Sequence, residues 1–201
     1  MKENILSTLS KEEIRQINIV SYDKGTIIFH EGDKCEFVCF VLSGEIEISS
    51  YTRKGNKIVY NQLSENSVFG NNLIFSDDNT YKGNVKCIKK CTLGMLNRTA
   101  LLYVLRQNSD FLIEFLKIQS NFGKALNSKL KVFTIKDIEE RFLYYLVLNK
   151  NHLYIKSVTD LAKNLFLTRE TTSRLISKLV DKKIIARKGH IIYLLANANL
   201  E

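Results

Sequence analysis

The sequence predicts an α+β chain in three parts: a β-rich first half, one long helix, and a small helical unit closed by a hairpin. Three observations carry that prediction. Between Val20 and Leu96, short runs rich in β-branched and aromatic residues recur about every 8–12 residues, with turn residues between them. Over 108–133 the apolar period changes to three- and four-residue steps. From Tyr154 onward, two short helical patterns a few residues apart are followed by an alternating, Ile-rich run.

In chain order, residues 5–18 are expected to form a short amphipathic helix, with Ser10 ahead of Lys11-Glu12-Glu13 as a cap. The β runs that follow are GTIIFHEG, EFVCFVLSGEIEISSY, KIVYNQL, GNVKCI and TLGMLN. Glu31-Gly32-Asp33, Ser43-Gly44-Glu45, Lys54-Gly55-Asn56 and Ser76-Asp77-Asp78-Asn79 punctuate them as turns, which argues for an antiparallel barrel or sandwich. Near Thr99 the texture becomes helical. Leu112, Phe115, Gln119, Phe122, Leu126 and Phe133 make a seam with one polar member, and Gly123 lets another backbone approach. Such a helix can lie on its own β domain or pair with a twin. A second apolar row, Ile113, Leu116 and Ile118, suits both at once, and the dimer interface is expected at Leu112, Phe115, Gln119, Phe122 and Leu126. A further helix is expected over 134–149, capped at Thr134 or a neighbour, with Ile138, Phe142, Tyr145 and Leu146 facing inward.

The last segment reads as a winged helix-turn-helix. Ser157 caps a helix running to Leu165, Phe166-Leu167 turn without the common glycine, and Thr168 caps the next helix, which Arg169 opens. Lys182-Lys183 end it, and 184–195 alternates around Arg187-Lys188-Gly189-His190 as a hairpin wing. In the second helix, Thr171, Leu175 and Leu179, with Ile176 and Val180, are expected to bury; Arg169, Glu170, Ser173, Arg174 and Ser177 face away. The expected divisions are a sensor-type β domain at 1–107, a dimerisation helix at 108–133 and a DNA-binding domain at 134–201.

Composition narrows the function. The 201 residues are 45% apolar and 25% charged, as in a globular protein. No run approaches a membrane span, and the charged N-terminus lacks a secretion signal's apolar stretch, so a cytoplasmic chain without membrane contact is expected. The net charge of +9 is lopsided: residues 1–107 hold 14 Lys/Arg and 12 Asp/Glu, residues 108–201 hold 16 and 9. A basic face can be merely solvated, but this excess coincides with the helix-turn-helix, which favours a partner bearing phosphates. Catalysis is not expected: a Cys with His30 is the only conceivable nucleophile pair, without a phosphate loop, HExxH or paired carboxylates. Cys35, Cys39, Cys87 and Cys91 sit in two pairs at four-residue separation in strand-like surroundings. They suit small buried thiols more than a zinc site, although a redox or metal role stays open. His30, His152 and His190 are expected to be solvated, and no cofactor or metal is assigned.

The exposed row of the second helix carries the chemistry of base recognition. Arginine donates two hydrogen bonds to guanine, glutamate accepts from cytosine, and serine or threonine serves base or phosphate. Arg169, Glu170, Ser173 and Arg174, with Thr168 at the cap, are therefore expected to read double-stranded DNA. Ser157 and Thr159 at the preceding helix start, and Lys178, Arg187 and Lys188, are expected on phosphates. The alternative is a β sensor module whose C-terminal helices bind a protein rather than DNA.

Thr168-Arg-Glu-Thr-Thr-Ser-Arg174 resembles the recognition helix of the Crp–Fnr superfamily of bacterial transcription regulators, whose pattern is close to S-R-E-T-V-S/G-R. The resemblance spans nearly the whole chain: EGD at 31–33, LSGE at 42–45 and FG at 69–70 are similar to the recurring turns of the family's β-roll. It implies an N-terminal antiparallel β-roll of the jelly-roll (double-stranded β-helix) type, a long dimerisation helix and a C-terminal winged helix-turn-helix. It further implies a homodimer that reads a near-palindromic operator with half-sites of the TGTGA or TTGAT type, through Arg169, Glu170 and Arg174, and that works with RNA polymerase. The sequence departs from the family where cyclic nucleotides bind. Asn71 stands where a Glu follows the Phe-Gly turn, and Tyr81-Lys82 stand in place of Arg-Ser. Asn supplies no carboxylate and Tyr no positive charge, so cyclic AMP or GMP is not expected; the effector is another small molecule or none. The N-terminal cysteine cluster of the family's iron–sulfur branch has no counterpart, since the first cysteine is Cys35.

Overall fold

The computed structural model describes residues 4–195. The chain forms two compact units whose boundary falls between Ser120 and Asn121, inside one continuous helix.

The first unit opens with a 3-10 turn, Ile5–Thr8, and a one-turn helix α1, Lys11–Ile14. The single helix expected over 5–18 is thus two pieces. Leu9 is extended, and the Ser10 hydroxyl accepts from the Glu13 amide while the Glu13 carboxylate accepts from the Ser10 amide at 2.8 Å. A capping box starts a helix and cannot lie within one. Residue 18, where the helix was expected to end, instead opens a strand that runs to Tyr22.

Eight strands follow: β1 Asn18–Tyr22, β2 Ile27–Phe29, β3 Phe37–Ser43, β4 Glu45–Tyr51, β5 Lys57–Ser64, β6 Val68–Phe69, β7 Asn84–Cys87 and β8 Cys91–Asn97. They pair antiparallel as two sheets, β1-β8-β3-β6 and β2-β7-β4-β5, around one core, which is the jelly-roll arrangement. Ile46 opposite Cys87 and Ile48 opposite Val85 bring apolar residues onto the inner face. In β3 the run Val38–Val41 is buried at every position. Continuous burial means both faces are covered, and α2 (Arg98–Gln107, capped by Asn97) supplies the second cover. All four cysteines are buried, and the sulfur atoms of Cys87 and Cys91 lie in contact across the turn from β7 to β8. His30 is exposed, apart from that buried set.

Helix α3 spans Ser109–Thr134. Asn108 anchors its start: its side chain accepts from the Phe111 amide at 2.9 Å and donates to the Thr8 carbonyl and the Glu13 carboxylate. Phe111 and Phe115 enter the β-roll core at 0% and 4% exposure.

In the second unit, α4 (Ile138–Leu148), β9 (His152–Tyr154), α5 (Val158–Leu165), α6 (Arg169–Asp181), β10 (Ile185–Lys188) and β11 (Ile191–Leu194) follow in order. Asp137, not Thr134, caps α4, accepting from the Glu140 amide at 2.8 Å; Thr134 ends α3. The wing is a three-stranded sheet, β10-β11-β9, because residues 152–154 pair with β11. Phe142, Leu146, Leu161, Leu165, Leu175, Ile176, Leu179, Ile185 and Ile192 form the core.

Candidate nucleic-acid interface

Helix α5 ends at Phe166, which holds the left-handed conformation at φ +56 that a glycine usually takes. Its ring stands edge-on to Phe133 at 5.0 Å, a contact that offsets part of the backbone strain. The chain then turns through Leu167 to Thr168, whose hydroxyl accepts from the Thr171 amide at 3.1 Å and starts α6.

The buried stripe of α6 is Thr172, Leu175, Ile176 and Leu179, spaced as positions 0, 3, 4 and 7 of a helix. This corrects the expected stripe by one residue: Thr172 is buried and Thr171 only half so, while Val180 is exposed. A threonine tolerates full burial here because its hydroxyl donates to the Thr168 carbonyl at 2.9 Å, leaving no unmet polar atom. Arg169, Glu170, Ser173, Arg174 and Ser177 are exposed on the opposite side. Among the described residues no ion pair or hydrogen bond occupies the side chains of Arg169, Glu170 or Arg174. Both guanidinium groups are open to a partner.

The remaining predicted contacts divide. Thr159 and Lys188 are exposed. Ser157 is committed to capping α5, accepting from the Asp160 amide at 3.0 Å and donating to the Asp160 carboxylate at 2.8 Å. That carboxylate places negative charge at the very helix start expected to hold a phosphate. Arg187 donates to the Gly189 carbonyl at 3.1 Å within the wing turn. Lys178 does not point free into solvent: with Lys182 it is ion-paired to Glu139 on α4. Glu139 and Lys182 were not legible as site residues, because 39 and 43 residues separate the paired groups. Another unforeseen residue is Arg141, whose guanidinium donates to the Ile135 carbonyl at 2.8 Å and the Leu165 carbonyl at 3.1 Å, fastening the end of α5.

The long helix needs one correction. Phe115 lies in its own chain's core and has no surface left for a second copy. The open row is Leu112, Leu116, Gln119, Gly123, Leu126, Leu130 and Phe133, alternating steps of four and three residues. Leu116, Leu126, Leu130 and Phe133 are each more than half exposed, Leu112 and Gln119 are half-buried, and Phe122 flanks the row. A Cβ built at Gly123 meets nothing within 4 Å. Gln119 exchanges hydrogen bonds with the buried Asn71, 2.9 Å between the side chains and 2.6 Å to the Asn71 carbonyl.

Asn71 belongs to the turn after β6 in which Gly70 sits at φ +78, where a Cβ would strike the Phe37 carbonyl. Near it, Tyr81 is 3% exposed, its ring stacked on Phe29 at 4.7 Å and its hydroxyl meeting the Cys35 thiol. Burial pushes both the phenol and the thiol above their ordinary values, so neither carries charge near neutral pH. Lys82 pairs with Asp78 on the surface.

A family model described as a cyclic nucleotide-binding domain matches residues 19–108, the β-roll and α2. An anaerobic regulatory protein of Bacillus subtilis is 24% identical over 184 residues, covering 85% of this chain and 77% of its own length. The cAMP-activated global transcriptional regulator CRP of Salmonella typhimurium is 17% identical over 185 residues, covering 87% and 88%. The first half thus carries a cyclic nucleotide-binding-type domain, and the chain is similar along most of its length to Crp–Fnr-type regulators. The fold agrees: a solved CooA mutant from Carboxydothermus hydrogenoformans superposes with a TM-score of 0.71 at 16% identity, covering 96% of this chain and 90% of that one. Arg169 and Arg174, without an ion pair or hydrogen bond among the described residues, lie on the second helix of the winged unit, and Tyr81 and Asn71 of the β-roll are buried.

Proposed function

We propose that the protein is a homodimeric, sequence-specific DNA-binding transcription regulator that reads a near-palindromic operator with α6. One observation carries the reading: a helix anchored by Thr172, Leu175, Ile176 and Leu179 presents Arg169, Glu170 and Arg174 with no partner among the described residues. A guanidinium without a counter-charge at a helix start suits a guanine edge or a phosphate. The open heptad row of α3, with Gly123 at its middle, supports pairing with a second copy, since an isolated soluble helix would not leave Leu116, Leu126 and Leu130 in water. Cyclic AMP is not the effector in this reading, because the turn offers a buried phenol and an amide already hydrogen-bonded to Gln119. RNA polymerase is the partner that regulation of this type requires.

Selection from a randomised duplex pool tests the function. Enriched sequences should contain two half-sites related by a twofold axis, their centres about one helical turn or a multiple of it apart. Replacing Arg169 and Arg174 together by Ala should weaken binding to the selected site by about 100-fold or more, with unchanged thermal unfolding. Failure to enrich any duplex, or full binding by the double variant, sinks the reading.

A further inference from the structure

The ion cluster behind α6 has no part in base recognition, yet it decides how many positive charges that helix offers. We propose that Glu139 is an internal counter-anion for the DNA-binding helix, holding Lys178 and Lys182 so that they do not grip duplex of arbitrary sequence. The proposal rests on the DNA-binding function stated above and adds a positioning residue to it.

The geometry is specific. Glu139 lies in the first turn of α4, where a carboxylate also suits the positive end of the helix dipole. One of its oxygens contacts the Lys178 ammonium, and the other lies 2.9 Å from the Lys182 ammonium. The Glu139 side chain is 22% exposed, whereas the two lysines are 55% and 47% exposed. The carboxylate is therefore the more fixed member, and the lysines are the ones drawn toward it. Lys182, which caps the end of α6, is one turn beyond Lys178, and Arg174 is one turn before it. All three line a shallow concavity of about 550 Å3 with Ser173, Ser177 and Asp181. The hydrogen bonds from Lys178 and Lys182 hold the Glu139 carboxyl below its usual range, and Glu139, with a smaller contribution from Asp137, raises Lys178, so the cluster stays charged at neutral pH.

Charge and placement give this cluster a consequence for DNA binding. A backbone phosphate takes Lys178 or Lys182 only by sharing or displacing the carboxylate. Non-specific binding is made of phosphate contacts and scales with the number of cations released to them. A specific complex also draws on base contacts by Arg169, Glu170 and Arg174, which Glu139 does not touch. An internal anion on the two lysines thus lowers background binding more than operator binding and raises the specificity ratio.

The experiment measures fluorescence anisotropy of a labelled random-sequence duplex and of the selected operator, from about 50 to 200 mM salt, with the full chain. Glu139→Gln should bind random duplex about tenfold tighter at the low-salt end, with a salt slope steeper by about one to two units. Operator affinity should rise less, so the specificity ratio falls. The gain should vanish when Glu139→Gln is combined with Lys178→Gln and Lys182→Gln, a result that a purely structural role for Glu139 does not give. The lysine double variant, which keeps Glu139, should show the parent's salt slope. The proposal is overturned if Glu139→Gln matches a parent that binds duplex, if its gain persists without the lysines, or if the double variant loses about two units of slope. A parent that binds no duplex at low salt overturns the DNA-binding function, and this inference with it.

Discussion

Arg141 and Glu47 show how single polar residues hold together the unit each belongs to. Arg141 satisfies the carbonyls of Ile135 and Leu165, and so holds the end of α5 against α4. Arg141→Ala leaves those carbonyls without a charged donor and should cost about 2–3 kcal/mol, read by chemical denaturation, and weaken operator binding through the misplaced turn. Glu47 is nearly buried on β4, where it accepts from Lys57, Gln62 and Ser49. Burial pushes its carboxyl up, but those partners outweigh burial and hold it below the ordinary value. A depressed folded value means that the stabilisation is present above the unfolded value of about 4.3 and is lost as pH falls through the folded one. The Tm gap between the parent and Glu47→Gln should therefore be widest near neutral pH and close in acid below about pH 4.

At the scale of the element, α3 performs two tasks on two faces. Phe111 and Phe115 bury in the β-roll, while Leu116, Gly123, Leu126 and Leu130 stay open. The two faces predict opposite readouts. Phe115→Ala should cost about 3–5 kcal/mol of stability without changing the association state at concentrations where the protein remains folded. Gly123→Leu should do the reverse. In an isolated helix, replacing glycine adds helix propensity of up to about 1 kcal/mol, so the monomer should be no less stable. At a crossing of two helices the added side chain forces the backbones apart, and sedimentation should show dissociation. A dimer that survives Gly123→Leu would place the interface elsewhere.

For the whole molecule, the β-roll matches a cyclic nucleotide-binding domain over residues 19–108, and Tyr81 and Asn71 are buried within it. Tyr81 stacks on Phe29, and Asn71 is hydrogen-bonded to Gln119 of the helix that leads toward the DNA-binding unit. Excess cyclic AMP should leave the Tm unchanged, whereas a ligand present at 100 times its Kd would add about 2.7 kcal/mol of stability. A cyclic-AMP-dependent rise in Tm would show that Tyr81 swings out and that the turn still accepts a phosphate.

Local sequence carried the architecture because its signals are local. Alternation between turn residues marked β2, β3, β4, β5, β7 and β8, and Ser157 and Thr168 marked the starts of α5 and α6 through hydroxyls that reach only three residues ahead. The two-residue strand β6 was too short to show a period, and β1 straddles the point where the helical pattern was expected to end and the β texture to begin. The basic residues of α6 could be listed from their spacing, but spacing does not say which of them are already neutralised. Packing made that choice: it brought Glu139 to Lys178 and Lys182 and, among the described residues, gave Arg169 and Arg174 no partner. It also turned Phe115 inward, because a helix lying against a sheet buries the residues facing that sheet, whatever heptad they also fit.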